Sequence, residues 1–209
     1  MDSKMYFNEV AGQWDKMREG FFSEAVREKA YNIANVKEGE LAADIGAGTG
    51  FIAEGLLNKG LKVIAVDWSE EMLEQMKKKF GTVSRIEYRQ GEAECLPIDS
   101  NYVDYVMANM YLHHVEEPLT AIKEMVRFLK PGGKLVITDL DEHSFEFLIK
   151  EHHDRWMGFK RDELKNWFIS AGLDNVVIDC AGDNCCAASS IGCVTANISI
   201  FIAYGEKIK

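Results

Sequence analysis

Apolar residues recur early in the chain at spacings of four, four and three, at Phe22, Val26, Ala30 and Ile33. That is one face of a helix, and residues 1–35 are predicted helical. The pattern then changes to short apolar runs, "GELAADIG" and "LKVIAVD", each reaching an aspartate, with a helical segment between them over roughly 50–59. "SEEMLEQMKKKF" opens on Ser69, a predicted N-cap. "SRIEYRQ", "YVDYVMAN" and "GKLVITDL" are the third, fourth and fifth strand candidates. Between the last two, Leu119, Ile122, Met125, Val126 and Leu129 form a helical stripe that Lys130-Pro131-Gly132-Gly133 ends.

Strands alternating with helices predict parallel pairing through right-handed crossovers, a doubly wound α/β sheet. The tail differs. After a helix at roughly 160–170, "DNVVIDC" and "NISIFIAYG" are two strand candidates with no helical pattern between them, expected to pair antiparallel at one side of the sheet. No internal repeat, low-complexity tract or linker interrupts the chain, so residues 1–209 are expected to form one domain.

The first strand runs into "ADIGAGTG", which places Asp44 ahead of Gly46, Gly48 and Gly50. Glycines at a strand-to-helix turn permit positive φ and close approach of backbone to a ligand. The second strand ends at Asp67, where a carboxylate can accept hydrogen bonds from ribose hydroxyls. The spacing is GxGxG rather than the GxGxxG of dinucleotide enzymes. A pyrophosphate in this cradle would face the Asp44 carboxylate, a like-charge arrangement, whereas a ligand with an ammonium and a sulfonium would be attracted. The charge argument favours S-adenosylmethionine over NAD.

At 47% apolar the chain can bury an ordinary core. Its net charge of −10 argues against a surface built to neutralise nucleic-acid phosphate or to lie on anionic lipid. The N-terminal "MDSKMYFNEV" has no apolar signal region, and no apolar run is long enough for a membrane span. A cytoplasmic location, with no nucleic-acid partner and no stable membrane association, is the expectation. The composition leaves the oligomeric state open.

"ADIGAGTGFIAEGLL", "VIAVDWSEEMLEQMKK" and "GEAECLPIDSNYVDYVMANMYLHHVEEPLTAIKEMVRFLKPGGKLVITDL" resemble, in order over about residues 40–140, the successive motifs of the class I S-adenosylmethionine-dependent methyltransferases. The resemblance is strongest to the small-molecule branch that includes quinone-ring C-methyltransferases. "DRWMGFKRDELKNWFISAGL" more loosely resembles methyltransferase domains that accompany arsenic-type regulators. The resemblance implies a Rossmann-like seven-stranded sheet, mostly parallel with an antiparallel last strand. Residues 1–35 would form a helical lid, 36–140 the cofactor-binding core, and 141–209 the substrate-side helices and terminal strand pair.

The resemblance also implies residue roles. Asp44 and Gly46-Ala47-Gly48 would hold the methionine end of S-adenosylmethionine. Asp67 would take the ribose, and Trp68 and Met72 would flank the adenine. Glu92, standing where the family usually has Asp, would accept from the adenine amino group beside Ala93, with Cys95 or Leu96 in the same pocket. Asn109 would lie beneath the methionine portion. Trp14 would cover it, with Tyr6 and Phe7 near the substrate.

The sulfonium is an activated leaving group, so the protein mainly aligns a nucleophile and removes a proton where one must leave. His113 and His114, after the fourth strand, are equal candidates for that base. His143, just past the fifth strand, is on the same face; "EHHDRW" reads as a charged helix end with no role, although His143 with His152 or His153 could join as metal ligands, which neither the spacing nor the sequence forces.

"CAGDNCCAASSIGC" holds four of the five cysteines. The resemblance implies that the sixth strand runs parallel to the first five, so residues 181–195 would form an oversized loop beside the active-site mouth. Cys185, Cys186 and Cys193 there are candidate ligands for a soft centre such as arsenite. The competing readings are a small-residue loop with inert thiols and, behind both, a redox-switchable disulfide. The expected function is methyl transfer to a small molecule. The alternatives are methylation or binding of a thiol or metalloid centre, and a non-catalytic cofactor- or metal-binding protein.

Overall fold

The computed structural model describes residues 3–93, 95–190 and 194–208. Seven strands form one sheet in the order β3-β2-β1-β4-β5-β7-β6. They are β1 (Leu41–Ile45), β2 (Lys62–Asp67), β3 (Ile86–Gln90), β4 (Val103–Asn109), β5 (Leu129–Leu140), β6 (Leu173–Ala188) and β7 (Thr195–Lys207). β1 to β5 pair in parallel. β7 is antiparallel to both β5 and β6, which makes β6 parallel to the first five. The architecture is the doubly wound, mostly parallel sheet that the alternation predicts.

The central strands are apolar on both faces because helices cover both, as a parallel sheet requires. Ala42, Val63 and Val136 meet one cluster, with Val26 and Tyr31 of α3 (Glu24–Ala34) and Leu56 of α4 (Phe51–Asn58). Ala43, Ile64 and Ile137 meet the other, with Ile122 and Met125 of α6 (Pro118–Phe128) and Phe168 of α8 (Arg161–Ser170). Ser69 caps α5 (Glu70–Phe80), its Oγ accepting from the Met72 N–H at 3.1 Å.

The N-terminal segment is broken rather than continuous. α1 (Ser3–Val10), a 3₁₀ turn and α2 (Trp14–Arg18) precede α3. A short α7 (Phe147–Glu151) was not evident from the apolar spacing. Lys130-Pro131-Gly132-Gly133 does end α6, yet it belongs to the irregular start of β5, where the register with β4 shifts.

The cysteine-rich stretch is not the expected loop. β6 continues to Ala188, and Asn184 to Ala188 pair with Ser199 back to Thr195 across a hairpin. The register shift between Cys180 and Asn184 marks a bulge at Gly182, where φ is +85°. Only residues 189–194 connect the two strands.

Candidate active site

The glycine turn sits at the carboxyl end of β1. Gly46 has φ +66°, and a Cβ there would collide with the Tyr111 ring. Gly48, at φ +53°, faces the Trp14 indole, whose Nε1 lies 3.5 Å from where its Cβ would stand. At both positions the positive φ disfavours any residue with a side chain, which leaves the backbone open to a ligand. α4 starts directly after the turn, and its first N–H groups have no partners within the helix. The buried Asp44 Oδ2 accepts from the Ala53 N–H at 2.9 Å. Burial nevertheless pushes the Asp44 pKa up to about 8, the Ala53 hydrogen bond opposing this and the Asp67 charge adding to it.

Asp67 ties the turn to the next strand. Its Oδ2 accepts from the Gly48 N–H at 2.7 Å and its Oδ1 from the Ser69 N–H at 2.8 Å. Burial raises its pKa, against the hydrogen bonds from Ser69 and Gly48. An ionised carboxylate offers about four lone-pair sites, so this one keeps acceptor capacity for a ligand.

A cleft of ≈ 240 Å³ opens above the turn. Asp44, Gly46, Ala47 and Gly48 form its floor, and Asp67, Trp68 and Met72 one wall. Glu92, Ala93, Leu96 and Asn109 form the other, while Cys95 is exposed outside it. The Asn109 Oδ1 accepts from the Thr138 hydroxyl at 2.8 Å, which orients its amide. Trp14 and Phe7 close the cleft from the N-terminal helices, their rings edge-to-face at 5.4 Å. Sequence reasoning passed over the latch that holds α2 down: Asp15 accepts from the Thr49 hydroxyl at 2.7 Å and pairs with Lys79.

Beyond Trp14 lies a second cavity, of ≈ 50 Å³, that shares Phe7, Trp14, Phe22, Met110 and His114 with the cleft. Tyr6, Phe21 and Leu148 give it an apolar rim, and His113, Asp154 and His152 a polar edge. The Tyr6 hydroxyl stands 3.4 Å from His152 Nδ1. Burial, with the Asp154 charge, raises the Tyr6 pKa.

The structure separates the two adjacent histidines. Met110 takes φ +50°, turning the chain after β4 into the 3₁₀ turn Leu112–His114. Asp139, wholly buried on β5, caps that turn. Its Oδ2 accepts from the Leu112 and His113 N–H groups at 2.8 and 3.3 Å. Its Oδ1 lies 2.6 Å from His113 Nδ1, and Asp154 Oδ1 lies 3.7 Å from His113 Nε2. Burial alone would lower the His113 pKa. The two carboxylates and the hydrogen bond outweigh it and hold the value at about 9. With both ring nitrogens turned to carboxylates, His113 does not fit the part of free base. His114 is the opposite case. Its Nδ1 is buried without a hydrogen-bond partner, and burial and the His113 charge drive its pKa well down.

His143 lines neither cavity, and its Nδ1 is occupied by the Phe145 N–H at 3.2 Å. That removes the geometric reason for a catalytic role. The His153 ring packs tilted against Tyr6 at 5.1 Å, at a backbone φ of +59°. Asp139 and Asp154 were missed as site residues. Asp139 is the only acidic residue in the apolar run "KLVITDL", a signal of the same kind that marks Asp44 and Asp67. Asp154 had no such signal. Burial raises its pKa to about 6, against the neighbouring His113 charge.

The adjacent thiols of Cys185 and Cys186 do not converge. Cys185 is buried and lines the second cavity, whereas Cys186 is exposed on the opposite face of β6, as successive strand residues must be. Cys193 lies outside the described residues. Burial, with the Asp154 charge, pushes the Cys185 pKa up to about 12, so it is a neutral thiol. Among the described residues, the one His, Cys, Asp or Glu cluster spaced for a metal ion is His113, His114 and Asp154. Also among them, no helix is long and apolar enough to cross a membrane.

Residues 43–137 match a family model described as a methyltransferase domain. The chain is 30% identical over 212 residues to the ubiquinone/menaquinone biosynthesis C-methyltransferase of Francisella philomiragia, with 81% of this chain and 82% of that protein covered. It is 34% identical over 183 residues to a demethylmenaquinone methyltransferase of Staphylococcus epidermidis, covering 73% and 75% respectively. Among solved structures, a SAM-dependent methyltransferase from Aquifex aeolicus superposes with a TM-score of 0.70 at 22% identity, covering 96% of this chain and 98% of that one.

Proposed function

This chain belongs to the class I S-adenosylmethionine-dependent methyltransferases, and we propose that its acceptor is a small planar molecule carrying an ionisable hydroxyl. The observation that carries this reading is the second cavity. It opens off the cofactor cleft at Trp14 and His114, and it joins aromatic walls to one polar edge. Flat apolar walls favour a ring, and a polar edge buried beside them favours a single hydrogen-bonding substituent. The relatives named for quinone biosynthesis fit the same chemistry.

The residues present fit the cofactor. The floor is glycine at two positions whose positive φ disfavours a side chain, and it carries a buried carboxylate that pairs with no cation among the described residues. Asp44 would hold the ammonium end, and Asp67 the ribose hydroxyls. Trp68 and Met72 would flank the adenine, Glu92 and Ala93 would border it, and Asn109 would lie under the methionine chain. When bound, the sulfonium supplies a methyl group on an already activated leaving group. The chain's own work is then positioning and water exclusion. Phe7, Trp14 and Phe22 cover the junction of the two cavities. The acceptor's hydroxyl faces the His114–Asp154 edge; its proton passes to solvent, and methyl transfer from the sulfonium leaves neutral S-adenosylhomocysteine.

The test is a screen with methyl-labelled S-adenosylmethionine over hydroquinols, catechols, phenols, thiols and arsenite. Label in a hydroxylated ring product supports the proposal. Label confined to thiols or arsenite, or turnover only on protein or nucleic acid, overturns it.

A further inference from the structure

We propose that His113, His114 and Asp154 form a binding site for a divalent transition-metal ion at the polar edge of the second cavity. Three donors converge there: a ring nitrogen of His113, a ring nitrogen of His114 and a carboxylate oxygen of Asp154 lie within 4.8 Å of one another. Asp154 Oδ1 is 3.7 Å from His113 Nε2 and 3.9 Å from His114 Nδ1. At metal–ligand distances of about 2.1 Å a tetrahedral site has donor–donor edges of about 3.4 Å, so side-chain shifts of a few tenths of an ångström close those two.

Three further features point to a cation rather than to a chance cluster. The first is Asp139. Its Oδ1 sits 2.6 Å from His113 Nδ1, and backbone N–H groups fix it from the 3₁₀ turn. A carboxylate that takes Nδ1–H leaves the Nε2 lone pair to a metal and orients the ring, the usual outer-shell arrangement of a metal-bound histidine. The second is His114. Its Nδ1 is buried with no hydrogen-bond partner, a cost that a metal bond would remove. The third is charge. Asp139 and Asp154 are buried on either side of His113, whose proton balances only one of them, and a dication that displaces the Nε2 proton balances both.

Imidazole and carboxylate donors suit zinc and neighbouring first-row ions rather than the soft centres that thiolates prefer. Because all three residues line the cavity, the ion's open position faces the space where the acceptor binds. There it would coordinate the acceptor's hydroxyl oxygen and favour loss of its proton to solvent or buffer. That role rests on the acceptor reading above; the binding site does not.

The two claims separate experimentally. Calorimetric titration of the full chain with Zn²⁺, after chelation and without cofactor or acceptor, is expected to give one site per chain. His114→Gln and Asp154→Asn should each weaken it by at least tenfold. Circular dichroism guards against misfolding. The Co²⁺-loaded native chain should show a visible d–d spectrum, which avoids the variants altogether. The absence of a stoichiometric site overturns the proposal. So does a site that survives both substitutions, or one that disappears instead in the Cys185→Ser/Cys186→Ser double variant. Should the site hold while the chelated protein methylates its acceptor at an undiminished rate, the activating role alone falls and methyl transfer stands.

Discussion

A buried carboxylate that no cation pairs is costly to keep, and among the described residues Asp44 is one. Its pKa of about 8 means that the free protein carries it protonated at neutral pH. Binding an ammonium favours the ionised form, so below pH 8 cofactor binding releases a proton. Affinity should therefore climb from pH 6 to about 8, by at most tenfold per pH unit, and level off as the cofactor's own α-ammonium begins to deprotonate. Asp44→Asn should weaken cofactor binding by at least tenfold and flatten that profile, both read by calorimetry. The same substitution should raise the melting temperature of the free protein at pH 7. A raised folded-state pKa means that stability falls as pH rises from about 4 to 8, and asparagine has no charge to bury. At this scale much was legible. Aspartates ending apolar strands are conspicuous, and Asp44 and Asp67 both line the cleft. The difference between His113 and His114 was not legible, because the partners that separate them lie 26 residues away on β5 and in the turn at Asp154.

The N-terminal helices and the β6–β7 hairpin are the two elements that close the site. α2 is held by the Asp15 contacts to Thr49 and Lys79, part-exposed bonds worth about 1 kcal/mol each. Asp15→Ala should loosen this cover and raise the dissociation constant for S-adenosylmethionine roughly three- to tenfold, with little change in thermal stability. An unchanged constant would mean that the cover closes without the latch. The hairpin offers a sharper comparison, because Cys185 and Cys186 sit on opposite faces of one strand. Cys185→Phe should fill the second cavity and remove acceptor turnover while cofactor affinity stays intact. Cys186→Ser should change neither. The alternation was present in the sequence, but in residues too small to register as an apolar pattern: Cys185 and Ala187 face in, Asn184, Cys186 and Ala188 face out. Pairing with the strongly apolar β7 determines the strand there, and the composition of β6 alone reads as loop.

Over the whole molecule, the cofactor cleft and the second cavity both lie at the carboxyl ends of the parallel strands. β1 and β4 are neighbours although β2 and β3 intervene in sequence. That change in strand order opens a crevice, the place where sheets of this kind bind ligands. Element order and topology were legible because alternation of strand and helix admits few right-handed arrangements. The distribution of function across the far edge was not. β6 and β7 bring Cys185 and Ala187 back over the same crevice only because β7 inserts antiparallel between β5 and β6.

The account stands on methyl transfer into that second cavity. Its most direct measurement is the stoichiometry of S-adenosylhomocysteine against methylated product, by mass spectrometry, with a hydroquinol as acceptor and Cys185→Phe alongside the native chain. The account predicts acceptor-dependent S-adenosylhomocysteine, one per methylated ring, lost in Cys185→Phe while the variant still binds the cofactor. Undiminished product from a Cys185→Phe chain, or S-adenosylhomocysteine formed without any methylated small molecule, would contradict it.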